Sequence, residues 1–129
     1  MKQILFAALI MILLDGAFIY PMMNYWKNQI KLVQKTALKA RIVPAIAAYL
    51  TMIFAWIYFI HIPHTKYKMT INESVVRAFA LGFVIYAVFE FTNYALITNW
   101  KPLSVMFDTL WGATLYALVT LLTYKLIKV

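Results

Sequence analysis

Residues 90–112 read EFTNYALITNWKPLSVMFDTLWG, and two of the chain's four acidic residues, Glu90 and Asp108, fall within them. Both sit in runs of Phe, Leu, Ile, Val and Ala, separated by the short polar link TNWKP. A tight turn between two long apolar runs reads as a helical hairpin, with Pro102 suited to the first position of the second helix because its missing N–H is unneeded there. The two helices are therefore expected to be antiparallel neighbours.

Working outward, two further runs of the same kind precede this hairpin. A bilayer core of about 30 Å needs about 20 apolar residues at 1.5 Å rise. Four stretches qualify: Ile4–Tyr25, Val43–Ile62, Ser74–Thr98 and Leu103–Tyr124. The chain of 129 residues is 65 % apolar and only 12 % charged. Soluble domains carry about 45–50 % apolar and about 25 % charged residues, so this much apolar surface has nowhere to hide except in lipid. The expected fold class is all-α: one integral-membrane four-helix bundle spanning residues 1–129. The first run has Lys2 before it, but no A-x-A-like site follows and Asp15 interrupts it. It is expected to be a retained span, kinked at Pro21, rather than a cleaved leader.

The link NYWKNQIKLVQKTALKAR has Trp26, Ile30, Val33 and Ala37 on one helical stripe and Lys27, Lys31, Lys35 and Lys39 at four-residue steps. An amphipathic basic helix in this first link is the expectation, with Lys27, Lys31, Lys35, Lys39 and Arg41 against anionic head groups. A plain extension of the first span fits the same pattern. The net charge of +8 is thus assigned to lipid and not to nucleic acid. Thr70-x-x-Glu73 has capping-box spacing and should start the third span. Links 1 and 3 carry six basic residues and the opposite side carries six, so counting gives no orientation. The density of charge in link 1 points to the cytoplasm.

Asp15, Glu90 and Asp108 each lie inside a span, at about 2.5–3.5 kcal/mol for an Asp at a helix centre. Counted from the face bearing links 1 and 3, they are roughly 15, 12 and 8 Å deep. One half of the bilayer thus holds all three, and no Lys or Arg shares their depth. Gly82, Tyr86, Glu90 and Asn93 stack on one side of the third span; Asp108, Trp111 and Gly112 do so on the fourth. Ala78-x-x-x-Gly82 and Ala113-x-x-x-Ala117 permit close approach. The candidate ligand- or proton-binding residues are accordingly Asp15, Glu90, Asn93, Asp108 and Trp111, with donors expected from Asn93, Thr92, Thr109, Tyr and Trp. A register-fixing polar network is the competing reading. His61 and His64, read as interfacial and exposed, lack a third ligand, so no metal is assigned, and no cofactor. Without cysteine, thiolate sites are excluded.

LLDGAF in the first span, VPAIAAY in the second, ALGFVIYAVFEFTNYA in the third and PLSVMFDTLWG in the fourth resemble the domain-of-unknown-function 2177 family of small membrane proteins of bacteria and some large DNA viruses. The resemblance runs through nearly the whole chain. Its most specific parts are Thr92-Asn93 after an acid and Asp108-x-x-Trp111-Gly112. Glu90 stands where the family has Asp, and Phe18 where Trp is commoner. It implies four spans, and Asp15, Glu90, Asn93, Asp108 and Trp111 at matching positions, without an activity.

Three functions are compatible with these residues. One is an intramembrane site for a proton, cation or small polar ligand, in a homo-oligomer. Another is a structural component of a cell, host-internal or virion membrane, assembled with membrane or coat proteins. A lipid-modifying enzyme is the third, although no metal triad, activated nucleophile or phosphate-cradling loop is present, and no catalytic residue is assigned.

Overall fold

A computed structural model describes residues 1–128. Four helices account for nearly all of them: α1, Lys2–Gln34; α2, Ile42–Lys66; α3, Ile71–Leu96; and α4, Pro102–Leu126. Each is long and apolar enough to cross a membrane, and no strand occurs among the described residues. The ends of α3 and α4 follow from local chemistry. Thr70 Oγ1 accepts from the Glu73 backbone N–H, and the Glu73 carboxylate accepts from the Thr70 N–H, so the capping box is complete. Lys101 precedes Pro102 at the start of α4, and Asn99 turns the link with φ 69°, a left-handed conformation that Asn tolerates.

The first link departs from a separate surface helix. Its first half, as far as Gln34, is an unbroken continuation of α1, and Lys35 ends it in the left-handed conformation at φ 64°. Residues 36–41 carry no helix. Extending an existing helix adds a hydrogen bond per residue without a second nucleation, which favours continuation over a new element. Lys27 and Lys31 therefore ride on the end of α1, while Lys35, Lys39 and Arg41 lie at or beyond its C-cap. At 33 residues α1 is about 50 Å long, well beyond a core of about 30 Å. Gln29 pins the projecting part. Its amide donates to the Asn99 carbonyl at 3.0 Å, and its Oε1 accepts from the Lys101 N–H at 3.1 Å and Ser104 Oγ at 2.8 Å. Links 1 and 3 are thereby clamped together at one end of the bundle.

The opposite end holds a π-helical turn, Ile57–His61, just before Pro63. Proline offers no N–H to the carbonyl four residues back and its ring crowds that carbonyl, so the helix widens. The freed carbonyl belongs to Phe59, and Arg77 Nε donates to it at 2.9 Å. Both histidines are engaged and only half-exposed here. His61 Nδ1 meets Tyr124 Oη at 3.1 Å, His64 Nδ1 meets Ser74 Oγ at 2.7 Å, and the His64 ring stacks on Tyr124 at 3.8 Å.

α4 is the central helix. Leu115, Tyr116, Val119, Thr120 and Thr123 are buried on it, and α3 packs along its length. Ala78 and Ala113 are fully buried in that seam, and Gly82 lies directly against the backbone of Gly112. Trp56 Nε1 donates to Thr120 Oγ1, and Tyr116 Oη to the Met52 carbonyl, tying α2 to the far half of α4.

Because the chain has no native cysteine, topology is directly measurable. Lys35→Cys and Lys68→Cys sit at opposite ends of the bundle. With link 1 cytoplasmic, a membrane-impermeant thiol reagent outside intact cells should modify only Lys68→Cys. Labelling of both to the same extent would show a dual topology.

Candidate functional site

The half of the bundle nearest links 1 and 3 holds the carboxylates. Asp15 on α1 is 7 % exposed, and both its oxygens are engaged: Oδ1 accepts from Trp111 Nε1 of α4 at 2.9 Å, Oδ2 from Tyr49 Oη of α2. One side chain thus ties three helices. Phe18, one turn along α1, stacks on Trp111 with centroids 4.4 Å apart and so fixes the indole that Asp15 needs.

Glu90 on α3 is fully buried at 0 % exposure. Its Oε2 accepts from Trp100 Nε1 at 2.8 Å, but among the described residues no donor reaches Oε1. The group within hydrogen-bonding reach of Glu90 is the Asp108 carboxyl on α4, half-buried and also close to Asp15. Tyr86, one turn back on α3, lies beside Asp15 and Asp108. A buried carboxylate oxygen without a donor is costly, and two facing carboxyl groups satisfy each other only if a proton lies between them or a cationic donor is shared.

Asp15, Glu90, Asp108 and Trp111 are therefore brought together. Asn93 lies on the same face of α3, one turn nearer the link, half-buried and without a side-chain hydrogen bond among the described residues. Thr92 is exposed, and Thr109 Oγ1 is buried without a partner. Of the expected donors, the tryptophans and a tyrosine serve, as two indoles and a phenol, and Asn93, Thr92 and Thr109 do not. Trp100 and Tyr49 escape the sequence reading: Trp100 looks like an interfacial aromatic, and Tyr49 belongs to a helix with no acid of its own. Gln29 escapes it too, since a lone glutamine in a basic link gives no periodic signal.

An apolar cavity of about 400 Å³ opens from the cluster, with Asp15 and Asp108 on one wall and Met23, Trp26 and Leu38 toward link 1. Among the described residues no group of three or more His, Cys, Asp or Glu is placed to hold a metal ion. A family model described as "Predicted membrane protein (DUF2177)" matches residues 1–125. No curated protein and no solved structure matches the chain.

Proposed function

Because the chain belongs to the DUF2177 family of membrane proteins, a membership that carries no reaction with it, we propose its function from the carboxylate cluster: Asp15, Glu90 and Asp108 form an intramembrane site that binds a proton or a small cationic or polar ligand. The observation that carries this reading is Glu90 Oε1, wholly buried, without a donor, and facing a second carboxyl group. Ionisable groups within spans are expensive, and they persist where they serve a pathway or a ligand. Lys27, Lys31, Lys35, Lys39 and Arg41 would hold the adjacent surface on anionic head groups.

A structural role in a membrane assembly is the second reading, and Asp15 favours it, since both its oxygens are satisfied by residues of other helices. Infrared difference spectra across a pH titration test the buried cluster, and Asp108→Asn separates the two readings. The binding-site reading expects a protonated carboxyl band near neutral pH that disappears in Glu90→Gln or Asp108→Asn. Carboxyl groups that all titrate as exposed ones do would rule it out. Asp108→Asn should leave folding intact in either case, because Asn still bonds its neighbours, but it should abolish proton or cation uptake only if the site is functional.

A further inference from the structure

A second apolar cavity, about 440 Å³, reaches the cluster from the lipid side, passing Ala48, Thr51 and Met52 of α2 and Ile85 of α3. Asp108, Tyr86 and Phe89 line both cavities. The N-terminal half of α2 is largely exposed, so this mouth faces the bilayer core. The two cavities therefore meet at one carboxylate, one opening laterally and the other toward link 1. No Lys, Arg or His lines either of them.

These walls select among ligands. A hard metal ion wants about six oxygen ligands. Here both Asp15 oxygens are already engaged and the remaining lining is aromatic and aliphatic. A neutral apolar molecule would leave Asp108, the half-buried carboxyl shared by both cavities, without a donor. An ammonium group with an apolar body meets both demands. Its N–H bonds and charge face Asp108, while its body lies along Phe18, Phe89 and Trp100, whose ring faces also attract cations. We infer that the carboxylate cluster and its two cavities bind amphiphilic ammonium cations entering sideways from the bilayer. This rests on the reading of the cluster as a binding site and names its ligand class.

Protons compete for the same carboxyls. The titratable groups around Asp108 and the adjacent Tyr86 are Asp15 from α1, Tyr49 from α2, Glu90 from α3 and Tyr116 from α4. None is basic. The probe is n-octylammonium, with n-octanol as its uncharged counterpart, added to the protein in lipid nanodiscs and followed by tryptophan fluorescence, to which Trp26 and Trp100 of the cavity wall contribute. Octylammonium should give a saturable signal that octanol does not. Its affinity should fall roughly tenfold or more as the pH is lowered and protons take the site. Asp108→Asn should weaken it at least as much. Ala48→Trp, an exposed position at the mouth of the second cavity, should slow the rise of the signal while keeping the protonated carboxyl band. Equal signals from octanol and octylammonium, or indifference to both substitutions, overturn the inference. If the carboxyl band is present in that case, the proton site stands and only the ligand class falls; if the band is missing as well, both fall.

Discussion

Gly82→Ala should destabilise the bundle by about 1–3 kcal/mol or more, the cost of forcing a methyl group into a packed contact. A Cβ at Gly82 would fall on the carbonyl carbon and oxygen of Gly112, which are backbone atoms of the central helix and cannot step aside. Gly112→Ala meets the Tyr86 ring instead and would push that tyrosine away from the carboxylates. Gly16 is the internal control, because nothing lies within 4 Å of a Cβ there. Gly16→Ala should be neutral or mildly stabilising, as Ala in a helix is better than Gly by about 1 kcal/mol. Thermal or denaturant unfolding in detergent, read by circular dichroism, ranks the three. Should Gly82→Ala unfold alongside Gly16→Ala, the α3–α4 seam is not packed as described.

Trp100→Phe is the second substitution with a large expected effect. It keeps the aromatic ring and removes the single donor to Glu90, whose carboxyl is wholly buried. Hydrogen bonds to charged groups contribute about 1.5–3 kcal/mol, and a loss of that size is expected. The cause can be separated from simple loss of packing by a double-mutant cycle. With Glu90→Leu already in place, no carboxylate needs the indole, so Trp100→Phe should then cost little. Equal costs in both backgrounds would show that the indole matters for its bulk rather than for its N–H.

The local features were legible before any geometry. Thr70 with Glu73 and Pro102 encode helix starts by spacing alone, and Ala78 with Gly82 marks a close helix contact. Depth counting grouped Asp15, Glu90 and Asp108, because residues per span convert directly to ångströms. That Tyr and Trp would supply hydrogen bonds was legible; which of them do so was not. Trp111 and Asp15 are 96 residues apart, and whether an indole turns toward an acid depends on the rotation of one helix against another, which no periodic pattern records. Link 1 was ambiguous for a related reason: an amphipathic stripe fits both a surface helix and a projecting one. The clamp at Gln29, made with residues at least 70 positions away, holds it as a projection.

The Asp15–Trp111 bond also sets an order of events during synthesis. Asp15 enters the bilayer with the first helix, whereas its indole partner is made 96 residues later. At about 5–20 residues per second, that interval is roughly 5–20 s. Tyr49, supplied by the second helix, is the partner that arrives early. The nascent chain therefore carries a half-satisfied acid that keeps α1 and α2 together as a pair until the α3–α4 hairpin is complete. That hairpin brings Glu90, Asp108, Trp100 and Trp111 as one block, so the cluster can close only once α4 has been made.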